Sequence, residues 1–236
     1  MPFNTVGIIG AMKEEVELLH RHVRVSGVRS KAGIDYATGE LHGKRVIFCR
    51  SGVGKVNAAV CTQILIDQGA DCVVFTGVAG ALDPTLDIGD IVISTVCQQH
   101  DVDVSALGFP RGVIPFQERS EFEADERLVR LAVFAGEALY PGRCRTGKLL
   151  SGDQFIASRQ IVRELRETFG GVCVEMEGAA VAQVCAMNGV PFVIIRSMSD
   201  RADGGAPESF EAFTVEAANR SYRLVEAMLM RMEDGK

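Results

Sequence analysis

Four acidic residues in this chain stand where acidic residues are costly. Glu175 and Glu177 follow the apolar run Val172-Cys173-Val174, Asp200 closes the run that starts at Pro191, and Glu15 lies just past Val6-Gly7-Ile8-Ile9-Gly10. A buried, unpaired carboxylate either destabilises the fold by several kcal/mol or takes up a proton. If the first segment is extended, Glu175 and Glu177 share one face and Met176 points to the other. Taken alone, Glu177 could equally be a first-turn helix residue that suits the dipole. Glu15 and Asp200, taken singly, read as cap or turn residues. Taken together, Glu15, Glu177 and Asp200 suit acid-base chemistry on a neutral, hydroxyl-rich substrate. No arginine cluster awaits a phosphate, and no histidine or cysteine stands beside them as a nucleophile.

The elements that must position these residues follow from periodicity. Val6–Gly10 predicts a strand and Lys13–Leu19 a helix. Tyr36–Thr38 and Arg45–Cys49 predict a hairpin around Leu41-His42-Gly43-Lys44. Val56–Gln68 is helical, Asp71–Thr76 is a buried strand ending in Gly77-Val78-Ala79-Gly80, and Leu86–Asp90 turns into a strand over Ile91–Thr95. The stretch His100–Arg119, with Gly108, Pro110, Gly112 and Pro115, is a long loop, and long loops in compact domains usually serve function or a partner. Helices at Ala124–Ala138 and Arg159–Thr168 flank a strand at Arg145–Leu150. Pro191–Arg196 is a further strand, Arg201–Pro207 a polar loop and Phe210–Met232 a final helix. Mostly apolar strands alternating with helices predict an α/β fold, helices on both faces of the sheet, with one domain over residues 1–236. In such sheets ligands bind beyond the carboxyl ends of the strands, where Glu15, Gly77–Gly80, Phe155, Glu177 and Asp200 fall.

The 236 residues are 47% hydrophobic and 24% charged, with a net charge of −6, ordinary for a globular protein able to bury a large core. No basic run supports binding to nucleic acid or an anionic membrane. Seven cysteines without a CxxC pair read as reduced core residues rather than a disulfide frame or zinc site. Met1–Val6 has no secretory pattern, and no apolar stretch has membrane-spanning length. The expectation is a cytoplasmic protein whose partners are small molecules or other chains.

Other motifs fail their tests. Gly52-Val53-Gly54-Lys55 departs from the Walker spacing, and Val56 replaces the hydroxyl residue that would meet magnesium. Gly7-x-x-Gly10 is too short for a dinucleotide fingerprint. His100-Asp101-Val102-Asp103 lacks a second ligand cluster, so it reads as a loop-fixing segment rather than a metal site. A GxSxG nucleophile elbow is absent.

Six segments in order carry a resemblance over nearly the whole chain: Gly7–Glu15, Ser51–Lys55, Thr76–Gly80, Ser151–Ile156, Val174–Glu177 and Arg196–Asp200. Together they resemble the 5'-methylthioadenosine/S-adenosylhomocysteine nucleosidases of the nucleoside phosphorylase superfamily. The resemblance implies a three-layer α/β/α sandwich with a central mixed sheet, a homodimer, no metal or cofactor, and hydrolysis of an N-glycosidic bond to release adenine. It further implies that Glu15 activates water with help from Arg196. Glu177 would hold the ribose hydroxyls, aided by the Met176 backbone, with Glu175 supporting from behind. Asp200, beside Ser199, would protonate adenine N7. Phe155 would stack on the purine, and the Ile156 backbone would read its edge. Met12, Val53 and Phe210 would line the ribose and 5'-thio end, and Val78, Ala79 and Gly80 would complete the pocket. Val104, Leu107 and Pro115 would close the neighbouring subunit's pocket.

The sequence also departs from that pattern. Val78 stands where a serine is common, Leu107 where an aromatic is common, and Phe75 where a phosphorolytic relative carries a phosphate-binding arginine. The first and third favour water over phosphate, and the second implies a roomier 5' end. The alternatives are a phosphorolytic relative, a 6-amino-6-deoxyfutalosine nucleosidase and a non-catalytic nucleoside-binding protein.

Overall fold

The computed structural model describes residues 3–203 and 205–232. Met1, Pro2, Gly204 and residues 233–236 lie outside the described residues, and with them the start of the expected N-terminus, part of the expected Arg201–Pro207 loop and the end of the expected 1–236 unit. In chain order the strands are β1 (Thr5–Gly10), β2 (Arg24–Lys31), β3 (Ile34–Leu41), β4 (Lys44–Arg50), β5 (Cys72–Ala81), β6 (Ile91–Gln99), β7 (Glu121–Glu123), β8 (Cys144–Ser151), β9 (Cys173–Glu175) and β10 (Phe192–Asp200). The helices are α1 (Lys13–His22), α2 (Lys55–Asp67), α3 (Glu126–Leu139), α4 (Arg159–Phe169), α5 (Gly178–Asn188) and α6 (Ala206–Leu229).

One mixed sheet runs through the molecule. β1 pairs in parallel with β4 and β5, and β5 pairs in parallel with β10. β10 meets β6 antiparallel, β6 and β8 run parallel, β8 and β9 run parallel, and β9 returns antiparallel to the end of β5. Strands β5, β10, β6, β8 and β9 therefore close a ring. The period-two alternation of strand side chains divides the core into two layers. Ile9, Val73, Phe75, Phe192 and Ile194 pack under α2 and α5, whereas Val6, Ile8, Val74, Val193 and Ile195 pack under α1, α3 and α6. This is the α/β/α sandwich with a central mixed sheet.

The differences from expectation have local causes. β2 is exposed at every residue, so it lacks the apolar alternation that marks a strand and is held by pairing with β3. β3 and β4 join through His42 and Gly43, both with positive φ, which is the two-residue hairpin turn that matches strand twist. β5 continues through the glycine motif to Ala81 rather than ending at Thr76, because its tail pairs with β10 and β9. The loop expected over Arg201–Pro207 is shorter, since Pro207 lies in the first turn of α6, where its missing N–H is harmless. Short β7, framed by exposed glutamates, pairs with β6. All seven cysteines are free thiols, and six are buried.

Gly136 in the middle of α3 tests the tightness of this packing. A Cβ there would meet Cys144 Sγ at 2.6 Å and Leu224 Cδ1 at 3.1 Å. Helix propensity alone favours Ala over Gly by about 1 kcal/mol. The Gly136→Ala variant is nevertheless expected to lose about 1–3 kcal/mol through overpacking, read as a lower urea midpoint with an unchanged m-value. A gain in stability would refute this close contact of α3 with β8 and α6.

Candidate active site

A cavity of about 320 Å³ opens where β1, β5, β9 and β10 end, within the range of small-molecule sites. Its lining includes Met12, Glu15, Val53, Val78, Ala79, Gly80, Phe155, Ile156, Glu175, Met176, Glu177, Ser199, Asp200 and Phe210, all expected from the sequence. Ala11, Gln154 and Val174 also line it; they belong to the quoted segments but, being small or neutral, carry no signal of their own. Four expected residues lie elsewhere. Arg196 is buried behind the lining, and Val104, Leu107 and Pro115 stay on the outer loop, with Leu107 72% exposed.

Glu15 sits in the first turn of α1 and reaches back to the chain before it. One carboxylate oxygen accepts from the Ala11 N–H at 2.6 Å and the Met12 N–H at 3.0 Å, the other from the Val78 N–H at 3.0 Å. Burial raises its pKa, opposed by the Arg196 charge and these three N–H groups. Gly77 makes room for it: a Cβ at that position would overlap Glu15 Oε1 and come within 2.9 Å of Arg196 Nη1.

Asp200 takes the same kind of place farther along β5. A Cβ at Gly80 would meet its Oδ1 at 2.8 Å. The β10 register slips between Met198 and Asp200, and such a bulge re-aims side chains, so Ser199 and Asp200 both face the cavity. Asp200 Oδ1 accepts from the Ala202 N–H at 2.7 Å and Oδ2 accepts from the Ser199 hydroxyl at 2.9 Å. Burial again raises its pKa, outweighing those two bonds. The two carboxyls thus fill the spaces left by two glycines three residues apart on β5, glycines about 10 Å apart at the usual strand rise.

Glu177 and Glu175 divide between site and frame. Glu177 accepts from the Gly54 N–H at 2.8 Å, a donor aimed by a backbone φ of 98° that suits glycine. Burial and the Glu175 charge push its pKa up to about 8, against the pull of Arg196. Glu175 is engaged elsewhere: it accepts from the Glu177 and Gly178 N–H groups that open α5, from the Ser151 hydroxyl and from Arg196. Arg196 Nη2 lies 2.5 Å from Glu175 Oε2, and its guanidinium stacks 3.9 Å from the Phe75 ring centroid. Burial opposes the arginine's charge, but Glu175, Glu15 and Glu177 secure it. Ser151 also accepts from the Ala179 N–H at 2.7 Å. It was missed as a site residue because a serine in a strand carries no signal apart from its motif.

The walls are apolar. The Phe155 and Phe210 rings stand edge to face at 5.6 Å, and Val78 packs with Ala217, Ala218, Met12 and Phe210. Among the described residues, no lysine, arginine or histidine lines the cavity, and no group of metal-ligating side chains is assembled. His100-Asp101 instead fixes its loop, as Asp101 takes the Lys55 ammonium at 2.6 Å.

The site is an apolar slot lined by buried carboxyls. The phosphorylase superfamily model matches residues 5–230. A 5'-methylthioadenosine/S-adenosylhomocysteine nucleosidase of Tolumonas auensis is 42% identical over 96% of this chain and 99% of its own. The solved nucleosidase of Neisseria meningitidis, bound to methylthio-immucillin-A, superposes with a TM-score of 0.92 at 41% identity, covering 96% and 99% of the two chains. Futalosine hydrolase of Helicobacter pylori superposes at 0.91 with 36% identity, over 96% and 97%. The chain belongs to the 5'-methylthioadenosine/S-adenosylhomocysteine nucleosidase family of the phosphorylase superfamily.

Glu15, Glu177 and Asp200 all have raised pKa values, so each favours the folded state while protonated and withdraws that support as pH rises through its folded value. Glu177→Gln keeps the shape and removes one titration. The ligand-free variant is expected to be more stable than the parent at pH 8 and to lose less stability between pH 5 and 8, measured by urea denaturation. Equal slopes in the two proteins would contradict the buried, proton-holding Glu177.

Proposed function

We propose that this chain hydrolyses the N-glycosidic bond of 5'-methylthioadenosine and S-adenosylhomocysteine, releasing adenine and the 5-thioribose product. The observation that carries the reading is the pair Glu15 and Asp200, which line one cavity and fill the spaces left by Gly77 and Gly80 on β5. Adenine leaves poorly as an anion, so a proton delivered to N7 lowers the barrier, and positioned acid-base catalysis contributes about 10²- to 10⁴-fold. Asp200 is the donor: burial favours its protonated form, and Ser199 orients it. Glu15 is the base. Three N–H groups fix its carboxylate, and a raised pKa makes it a better acceptor for a proton from water. Arg196, behind the lining, helps by keeping the carboxylates charged. Glu177 anchors the ribose 2' and 3' hydroxyls between them, and the ionised Glu15 sets negative charge against the developing oxocarbenium ion, as in sugar hydrolysis. Phe155 stacks on the purine and the Ile156 backbone reads its edge, while Met12, Val53 and Phe210 receive the 5'-thio group.

Water rather than phosphate is the nucleophile. A phosphate dianion in this cavity would face carboxyls and, among the described residues, meet no cationic side chain. The position where a phosphorolytic relative would place an arginine holds Phe75, which is occupied as the seat of Arg196. The futalosine hydrolase likeness keeps a second substrate in view, but the apolar 5' end formed by Met12, Val53 and Phe210 favours a thioether. The active form is a homodimer. Leu107 is exposed on the long loop, as are Val56 and Val60 on α2, and a second copy would cover them and take Val104, Leu107 and Pro115 against its own pocket.

Purified protein is expected to release adenine from methylthioadenosine and adenosylhomocysteine without phosphate, with both preferred to aminodeoxyfutalosine. An absolute phosphate requirement would overturn the hydrolytic reading. Glu15→Gln and Asp200→Asn should each lower kcat at least about 10²-fold while circular dichroism shows folded protein. Near-normal rates in either variant would remove the assigned base or acid.

A further inference from the structure

Outside the cavity, three loops meet in a closed ring of hydrogen bonds. The Lys55 ammonium donates to Asp101 Oδ1 at 2.6 Å and to Gln99 Oε1 at 2.9 Å. The Asp153 N–H donates to Asp101 Oδ2 at 3.0 Å, and the Lys55 N–H donates to Asp153 Oδ1 at 2.8 Å. Lys55 and Asp101 side chains are 18% and 16% exposed, so the pair is shielded from solvent, and a shielded charged bond holds geometry better than a surface one. Burial works against the Asp101 charge, but Lys55 and the Asp153 N–H outweigh it and hold its pKa below the usual carboxylate range.

Each corner of the ring touches the site at one remove. Lys55 follows Gly54, whose N–H points at Glu177, and the Gly54 Cα faces Asp153, since a Cβ there would lie 3.1 Å from Asp153 Oδ1. Asp153 lies two residues before Phe155. Asp101 opens the long loop after β6. We propose that Asp101 and Lys55 are positioning residues, which aim the Gly54 N–H at Glu177 and seat the Phe155 segment without touching substrate. The role as ribose anchor rests on the nucleosidase reading; the aim of Gly54 at Glu177 does not. A structural tie alone would hold the loops together without setting the proton affinity of Glu177. The groups facing that carboxyl are Glu175, Arg196, Glu15 and the Gly54 N–H, and only the last is governed by the ring.

The test uses the full-length protein and the variants Asp101→Asn, Lys55→Met and Lys55→Arg. Carbon-13 NMR titration of the Glu177 carboxyl in the free protein is expected to show a pKa raised further in Asp101→Asn and Lys55→Met and largely restored in Lys55→Arg, because a bond that favours the charged form has been lost. Methylthioadenosine turnover should show KM raised about tenfold in the first two variants with kcat changed less, and the rise of kcat/KM with pH displaced upward. Folded variants with an unmoved Glu177 titration overturn the inference, as does failure of both Asp101→Asn and Lys55→Met to fold. No adenine release by the parent protein would sink the nucleosidase reading instead, leaving the titration to decide this one.

Discussion

A guanidinium buried to 1% exposure, seated on Phe75 and bonded to Glu175, is the contact on which the rest of the cavity depends. Two ions taken out of water lose several kcal/mol of hydration each, and their attraction compensates only when further hydrogen bonds complete them. Glu175 has those bonds: two N–H groups at the start of α5 and the Ser151 hydroxyl all point at its carboxylate. The pair therefore fixes three elements at once, since Arg196 belongs to β10, Glu175 to β9 and the N–H donors to α5. Glu177 is the next side chain after that cap with a carboxyl, and its direction follows from where α5 begins.

One guanidinium cannot neutralise four carboxyls. Glu175 takes the direct contact, so Glu15, Glu177 and Asp200 are left to a weaker field and to backbone donors. Burial then raises the pKa of all three, and the number of N–H groups aimed at each sets them apart. Glu15 receives three and lies beside Arg196. Asp200 receives one N–H and one hydroxyl and has no cation among the causes of its shift. In the proposed reaction that difference separates Glu15 from Asp200: the carboxyl with three N–H donors and a nearby guanidinium serves as base, and the one without a cation holds the proton. Protein dipoles do here what bulk water would do for an exposed acid, and they do it differently for the carboxyls beside Gly77 and Gly80.

How far the sequence discloses this depends on whether the signal is local. The strands and helices beneath the site are legible because they are apolar on both faces or helical in period, as in Val6–Gly10 and Val56–Gln68. β2 is not, because its eight residues are exposed and only the partner strand gives them a reason to be extended. The acidic residues announce themselves as charges at the ends of apolar runs, but their division of labour is not local. Nothing in Val174-Glu175-Met176-Glu177 tells which glutamate meets Arg196, and nothing in the run to Asp200 reveals the bulge that turns it. Gly77 and Gly80 read in the sequence as the close of a strand that stops at Thr76, yet both lie within it. They are glycine because Glu15 and Asp200 occupy the space of their missing side chains.

The same surplus of buried carboxyls bears on the choice of nucleophile. Delivering a dianion into a cavity lined by four carboxyl residues and, among the described residues, by no cation would add repulsion in a low-dielectric setting, where charges interact several-fold more strongly than in water. Water carries no such penalty and can donate to Glu15 while its lone pair faces the sugar. Substituting Phe75 by arginine would not convert one chemistry into the other, because the space is taken by Arg196, and a second guanidinium there would compete for Glu175. Recruiting phosphate would require a cation introduced at the lining itself, at Val78 or beside it, together with loss of a carboxylate. Hydrolysis in this fold is thus a property of the whole charge arrangement around β5 rather than of any single residue.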